Sequence, residues 1–191
     1  MRISSVSISY RPFMIFIDGG YLRSEIIRKF GHDRIDYWSL FGFLINNCSY
    51  GASLHMEIIR IYYYDAIVDY KENKEKHLIQ ESYFDNIRKI NNYEVKLGRL
   101  IKTNKEDGYR QKGVDVLLAI DMISKAHLGH YDVALLLAGD DDYLDMVKAI
   151  KDLTGKRVYG AYFEHNGSKR LVESFDKRIP IKDDVIPSLL Q

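Results

Sequence analysis

Short runs of apolar residues alternate along the chain with longer amphipathic segments. The apolar runs are rich in β-branched and aliphatic residues and several end in Gly or Asp, which is typical of buried parallel strands. They predict strands at 13–18, 56–65, 93–101, 132–138 and 157–163. The segments between them place apolar residues at helical spacing and predict helices at 21–30, 36–47, 71–89, 114–128, 143–153 and 168–175.

Strands that alternate with helices predict a three-layer α/β/α sandwich with a mainly parallel sheet. A length of 191 residues is enough for one such domain with a sizeable core. The sequence shows no internal repeat and no low-complexity linker. We therefore expect one domain over residues 13–180, with an N-terminal extension at 1–12 and a C-terminal tail at 181–191.

The composition of the chain limits which ligands and which cellular compartment we expect. The formal net charge is only +1, so any binding of phosphate groups has to come from a local basic patch. The single cysteine, Cys48, excludes an internal disulfide and favours a reducing compartment. No apolar stretch approaches the roughly 18 residues that span a bilayer. The sequence thus predicts a cytoplasmic protein without a membrane anchor and leaves open whether it forms a homo-oligomer.

Four aspartates follow or adjoin the apolar runs. Asp18 ends the first predicted strand, Asp140 and Asp142 follow the fourth, and Asp115 opens a long apolar helix. In open α/β sheets, ligands bind at the carboxyl ends of the strands. Carboxylates that converge there repel one another unless a cation holds them, and hard oxygen ligands favour Mg²⁺ or Mn²⁺. The pattern predicts a carboxylate cluster that binds a divalent metal ion.

Helix capping is the alternative for each of these acids taken singly. Asp is a favoured N-cap residue, and a carboxylate in a first helical turn is also stabilised by the helix dipole. Capping explains less well why acids follow several apolar runs. Asp121 lies six positions after Asp115, about 120° around a helix, and is expected off the face of Asp115. Asp141 is expected to point away from Asp140 and Asp142.

A basic segment precedes Asp115. Between residues 96 and 112 the chain has six basic residues against two acids, with Tyr109 among them. We expect residues 102–112 to form a polar loop in which Lys105, Arg110 and Lys112 contact nucleic acid. Lysine and arginine bind phosphates, and an aromatic ring can stack on an unpaired base, which suits a single strand. A solvated connecting loop is the alternative.

Three short motifs together resemble the NYN domain family, the LabA-like proteins of the PIN-like nuclease superfamily. They are Phe-Ile-Asp-Gly at 16–19, Lys-Gly-Val-Asp-Val at 112–116 with Asp121, and Gly-Asp-Asp-Asp-Tyr at 139–143. Residues 60–65 and 98–100 also resemble that family's second and third strands. Each motif alone is weak, but three in order at this spacing are fairly specific.

The resemblance implies a PIN-like, Rossmann-like fold, an acidic site that binds Mg²⁺ or Mn²⁺, and action on RNA. The metal-binding and catalytic positions that it implies are Asp18, Asp115, Asp140 and Asp142. Many members have Asn three residues after the first of these acids, and Tyr21 holds that place here.

The function predicted is metal-dependent hydrolysis of RNA, with single-stranded RNA favoured. A catalytically silent module that binds RNA or a protein on the same scaffold is the alternative. A phosphatase with an aspartyl nucleophile is disfavoured, because Asp18 is not followed two residues later by a second acid that could serve as acid and base.

Overall fold

The computed structural model describes residues 10–48, 55–103 and 108–191. These residues form one mixed sheet with helices on both faces. The strands are β1 (Tyr10–Asp18), β2 (His55–Val68), β3 (Tyr93–Lys102), β4 (Tyr109–Lys112), β5 (Val133–Leu137), β6 (Arg157–Phe163) and β7 (Lys177–Ile181). The helices are α1 (Gly19–Phe30), α2 (Tyr37–Cys48), α3 (Lys74–Arg88), α4 (Val114–His127), α5 (Leu144–Thr154) and α6 (Lys169–Ser174), with 3₁₀ turns at Asp141–Tyr143 and Ile186–Leu189.

The sheet order is β4-β3-β2-β1-β5-β6-β7. Strand β1 pairs in parallel with β2 on one side and with β5 on the other. The chain therefore builds the sheet outward from β1 in one direction and then outward from β5 in the other. The crevice between the carboxyl ends of β1 and β5 is the topological switch point, where open α/β sheets bind their ligands.

Alternation along β1 explains how both faces of the sheet are covered. Phe13, Ile15 and Ile17 point into the layer that contains α1, α2 and α3. Met14 and Phe16 point into the layer that contains α4, α5 and α6. Because successive side chains of a strand point to opposite faces, a continuous apolar run is needed for a strand buried on both sides. The three-layer sandwich expected from the sequence is confirmed.

Two strands lie where the sequence predicted none. Residues 109–112, expected within a polar loop, form β4, which pairs antiparallel with the end of β3. Strand β7 adds to the far edge, parallel to β6. Both are short edge strands of four and five residues, and the polar side chains of such strands mask the alternation that marks a half-buried strand. None of the described helices is both long enough and apolar enough to cross a membrane.

Residues 181–191, expected as a C-terminal tail, are packed on the domain. Ile186 and Leu189 are buried in the layer of α1, α2 and α3. Leu190 forms a β-bridge with Ile35, and the amide of Asp36 donates to the carbonyl of Leu189 over 2.9 Å. The segment is too short for its apolar residues to show the period of a helix or a strand. The sequence alone therefore does not predict that these residues are buried.

We expect Leu189→Ala to lower the free energy of unfolding by about 2–5 kcal/mol, because it empties a packed site. Leu189 is 2% exposed, whereas Leu153 is 71% exposed. Leu153→Ala is therefore the matched control, with an expected change within about 0.5 kcal/mol. Urea denaturation of both variants measures the difference, and equal small effects would show that the C-terminal segment contributes nothing to the core.

Candidate active site

Asp18 is buried at the point where β1 becomes α1. It is 6% exposed and is the N-cap of α1, where its Oδ1 accepts the amide proton of Tyr21 over 2.9 Å. The two glycines that follow let other groups approach this turn. A Cβ on Gly19 would collide with the ring of Tyr63, and a Cβ on Gly20 would collide with the amide of Gln111. Asp18 thus caps α1, as the alternative interpretation of the sequence expected. Capping alone does not explain why the side chain of Asp18 is buried.

Tyr143 joins Asp18 to Asp115. Its hydroxyl lies 3.0 Å from Oδ2 of Asp18 and 2.9 Å from Oδ1 of Asp115. Asp115 lies in the first turn of α4, two residues after the N-cap Gly113, whose φ of 82° favours glycine. The structure thus brings together two of the four predicted acids, one buried and one exposed, through one phenol oxygen.

Asp18 differs from the other buried acids in its partners. In the described part of the chain the buried acids are Asp18, Glu25 and Asp65. Glu25 pairs with Arg28 and Asp65 pairs with Arg23, whereas the described residues offer Asp18 no ion pair. Its hydrogen-bond donors are a backbone amide and a phenol, which carry no charge. A buried carboxylate without a cation is costly, and a bound metal ion would compensate it.

Burial raises the pKa of Asp18 to about 6, and the nearby charges of Asp115 and Asp65 act in the same direction. The hydrogen bonds from the amide of Tyr21 and the hydroxyl of Tyr143 oppose the shift because they stabilise the ionised form. Burial also raises the pKa of Tyr143 far above its ordinary value, so its phenol stays neutral and remains a donor. The cluster therefore holds a carboxylate whose charge the protein itself compensates poorly.

Asp140 and Asp142 lie in the 3₁₀ turn that follows β5, and both side chains are exposed. Asp140 is the N-cap of this turn and accepts the amide proton of Asp142 over 3.1 Å. Asp141 points elsewhere, as expected, and accepts from Ser168 and Arg170. The described contacts do not link Asp140 or Asp142 to Asp18 or Asp115, so their part in the site stays a prediction.

The donor set fits a hard divalent ion, although it does not form a closed cage. Among residues 10–48, 55–103 and 108–191, no group of three or more His, Cys, Asp or Glu side chains is arranged to hold a metal ion. Magnesium does not need such a group, because it keeps several waters and binds through one or two carboxylates. Asp18 and Asp115 meet that requirement, and the uncompensated charge of Asp18 favours a cation there.

Two further residues at this edge were missed by the reading of the sequence. Asp65 is 2% exposed and accepts from Arg23 over 3.0 Å and from Gln111 over 3.3 Å. It lies within β2, directly after the apolar and aromatic run 61–64, as Asp18 comes directly after the apolar run 13–17 of β1, and this signal could have identified it. Tyr143 belongs to the Gly-Asp-Asp-Asp-Tyr motif at 139–143, but the sequence does not distinguish a bridging hydroxyl from a core tyrosine at the start of a helix.

Asp121 lies outside the carboxylate cluster. It accepts from Lys96 over 2.5 Å, from Tyr64 over 2.8 Å and from Lys125 over 3.2 Å. Two lysines compensate its charge, so it links α4 to β2 and β3. This agrees with the expectation that it does not share a helical face with Asp115.

Tyr21 has a structural role at the position where the resembled family often has Asn. Its hydroxyl donates to the carbonyl of Asn166 over 2.6 Å and accepts from the amide of Phe163 over 2.9 Å. Tyr21 therefore ties the first turn of α1 to the end of β6. The ring also lies where a side chain on Gly139 would have to go, which holds the turn after β5 close to α1.

In the described part of the basic segment, residues 99–102 of β3 pair antiparallel with β4, and this pair of strands, here called the hairpin, replaces the loop that we expected. Arg110 and Lys112 are exposed on β4, and Lys105 lies outside the described residues. Tyr109 is less available than expected for stacking on a base, because the ammonium of Lys76 lies 3.9 Å from its ring centroid. Strand β4 leads through Gly113 directly into the first turn of α4, so the exposed cations stand close in sequence to Asp115.

We expect the contribution of Asp18 to the stability of the metal-free protein to decrease as pH rises from about 4 to above 6. The pKa of Asp18 is about 6 in the folded protein against 3.8 for an unperturbed carboxyl, so the folded state binds the proton more tightly within that window. Asp18→Asn removes the charge and keeps a good N-cap. It should raise the free energy of unfolding by up to about 3 kcal/mol at pH 7.5 and by little near pH 4.

Urea denaturation in the presence of a chelator at both pH values measures this difference. Glu75→Gln, which neutralises an exposed acid in the first turn of α3, is the control and should show no such pH dependence. A loss of stability in Asp18→Asn at pH 7.5 would mean that the hydrogen bonds to Asp18 outweigh the cost of burying its charge.

The comparisons with known proteins agree with this architecture. A crystal structure of a protein of unknown function from Vibrio parahaemolyticus superposes with a TM-score of 0.67 and 20% sequence identity, covering 95% of this chain and 96% of that chain. At that identity the likeness shows the fold alone. No curated protein matches the chain in sequence. The model of the NYN domain matches residues 12–182. The chain therefore belongs to the NYN domain family, a PIN-like nuclease family.

Proposed function

We propose that the protein is a divalent-metal-dependent ribonuclease that hydrolyses phosphodiester bonds, with single-stranded RNA as its preferred substrate. The observation that carries this proposal is the buried carboxylate of Asp18, which has no described ion pair and shares the hydroxyl of Tyr143 with Asp115. It lies at the switch point of the sheet, where a ligand is expected. Membership of a nuclease family supports the reaction type.

Mg²⁺ or Mn²⁺ is the proposed cofactor, held by Asp18 and Asp115, with Asp140 and Asp142 as the further ligands that the sequence predicts. The bound ion would lower the pKa of a water molecule and neutralise charge on the phosphate. The burial of Asp18 strengthens its attraction for a cation, because an electrostatic interaction is less screened away from water. The exposed side of Asp115 leaves the site open to a polymer.

The hairpin of β3 and β4 is the proposed contact for the RNA backbone. Arg99, Lys102, Arg110 and Lys112 are exposed, and none has an ion pair with an acid in the part of the chain that the structure describes. Basic side chains at this position would bind the phosphates and set the register of the RNA, without contacting its bases. Lys105 is part of the same proposal from its place in the sequence.

A catalytically silent module that binds RNA or a protein is the second candidate. The position of Tyr21 favours it, because its hydroxyl is used in two structural hydrogen bonds and provides no amide near the carboxylates. A cytoplasmic location and a homo-oligomeric state remain predictions for either candidate.

We expect Asp115→Asn and Asp140→Asn each to lower RNA cleavage by at least about 100-fold while the protein stays folded. The loss of a direct ligand should cost more than the roughly 10–100-fold that follows the loss of an outer partner. Cleavage of a mixed-sequence, single-stranded RNA with Mn²⁺, and with a chelator as the blank, measures this. Asn retains the capping function of Asp140, so a clear fall in melting temperature would identify Asp140 as structural instead.

Glu75→Gln is the matched control for Asp115→Asn, because both change an exposed acid in the first turn of a helix. It should cleave like the wild type. Chelator-resistant cleavage by the wild type would overturn the metal requirement, and binding of RNA without any cleavage would support the silent module.

We expect the triple variant Lys105→Ala, Arg110→Ala and Lys112→Ala to bind RNA more weakly whatever its sequence. Each lost phosphate contact should reduce the slope of log K against log salt by about 0.7, so three contacts should reduce it by about 2. The control removes three exposed cations from other parts of the chain, Arg34, Lys148 and Arg157, and should leave the slope unchanged. Equal slopes for both triple variants would show that the hairpin is only a connector.

A further inference from the structure

Tyr143 places a single hydroxyl between two acids of the carboxylate cluster. Its side chain is 1% exposed and belongs to the apolar layer that includes Val114 and Leu118 of α4. The ring is therefore held by packing on the same helix that carries Asp115. Only the hydroxyl reaches the polar edge of the sheet, so its position is set by the core and not by the acids that it contacts.

The geometry brings the two carboxylates near the separation that a shared ion requires. The hydroxyl oxygen lies 3.0 Å from Oδ2 of Asp18 and 2.9 Å from Oδ1 of Asp115, so these two carboxylate oxygens are at most about 6 Å apart. Two oxygen ligands of one Mg²⁺ lie roughly 3–4 Å apart, since each is about 2.1 Å from the metal. A small approach of the exposed Asp115 would complete the pair.

The hydrogen bonds from the Tyr143 hydroxyl leave lone pairs on both carboxylates that can still bind a metal ion. An ionised carboxylate has about four lone-pair sites. Asp18 uses one on Oδ1 for the amide of Tyr21 and one on Oδ2 for Tyr143, which leaves a site on each oxygen. The single hydrogen of the Tyr143 hydroxyl is shared between the two acids as a three-centre bond. This donor can remain in place when a cation arrives, because it leaves the other lone pairs of both carboxylates free.

We propose that Tyr143 is a positioning residue, whose hydroxyl holds Asp18 and Asp115 toward a common point and so raises their affinity for a divalent cation. This inference rests on the proposed function, because it assumes that the two acids bind metal. Tyr143 acts through the acids and needs no contact with RNA. Without its hydroxyl, mutual repulsion and the free rotation of Asp115 would separate the two carboxylates.

The test compares Tyr143→Phe with Tyr131→Phe. Each variant loses one buried hydroxyl from the same apolar layer and keeps its ring. Tyr131 donates to the carbonyl of Met122 over 2.8 Å and contacts no acid among the described residues. Binding of Mn²⁺ alone is followed by the electron paramagnetic resonance signal of the free ion. Tyr143→Phe should bind Mn²⁺ about 10-fold or more weakly, as for other outer partners of metal ligands, and Tyr131→Phe should bind like the wild type.

Activity gives a second readout. At saturating Mn²⁺, Tyr143→Phe should recover most of the wild-type cleavage rate, because a positioning residue acts through metal affinity. Equal affinities for Mn²⁺ in Tyr143→Phe and the wild type would overturn this inference and leave the proposed function intact. A wild type that binds no Mn²⁺ would overturn both. A cleavage rate that stays low at saturating Mn²⁺ would overturn the positioning role and indicate that the hydroxyl takes part in the reaction itself.

Discussion

The burial of β1 on both faces and both edges is the constraint on which the rest of the structure depends. Hydrogen bonds to β2 and β5 occupy its edges, and helices cover its two faces. Such a strand has to be apolar between its ends, so polar residues appear only at the rims of the sheet. At the carboxyl end of β1 that residue is Asp18, which is why a carboxylate comes to lie almost without solvent at the switch point.

The polar groups around Asp18 are arranged differently from those of a purely structural buried acid. Every buried side-chain nitrogen or oxygen in the described part of the chain has a hydrogen-bond partner. Asp65 has a guanidinium among its partners, but Asp18 has only neutral donors. Its hydrogen bonds are therefore satisfied while its charge is not, and the raised pKa expresses the difference. Natural proteins retain a buried charge without a compensating partner mainly at functional sites, where a bound ligand can supply the opposite charge.

The acids that would bind a metal ion and the cations that would bind a polyanion lie at different places in the sheet. The acids lie at the switch point between β1 and β5, and the exposed cations lie on the hairpin at the outer edge of the sheet. The net charge of only +1, the balance of 28 basic and 27 acidic residues over the whole chain, conceals this division. The position of each sign decides what the surface can bind, and the total does not.

The local pattern of apolar and polar residues was enough to predict the core of the fold and part of the site. The apolar runs of β1, β5 and β6 and the helical spacing of α4 and α5 are long and regular, so the sandwich and the places of Asp18 and Asp115 followed from the sequence. Strands β4 and β7 could not be predicted, because edge strands this short and polar are stabilised by their neighbours rather than by their own side chains. In α3 the apolar residues Leu78 and Ile79 are exposed for a related reason, since the neighbouring elements decide which face of a helix is covered.

The sequence by itself determined where the apolar runs stop and that acids stand at or just after those points, because a strand buried on both faces needs a continuous apolar run that can be read locally. Only the tertiary structure decided which acids meet and what holds them. Tyr143 lies 125 residues from Asp18 and 28 from Asp115, and nothing local marks its hydroxyl as a bridge between them. Likewise Arg23, which compensates Asp65, and Lys96, one of the two lysines that compensate Asp121, come from other elements of the fold. Contacts between distant segments depend on how strands and helices pack, and no periodicity within one segment encodes them.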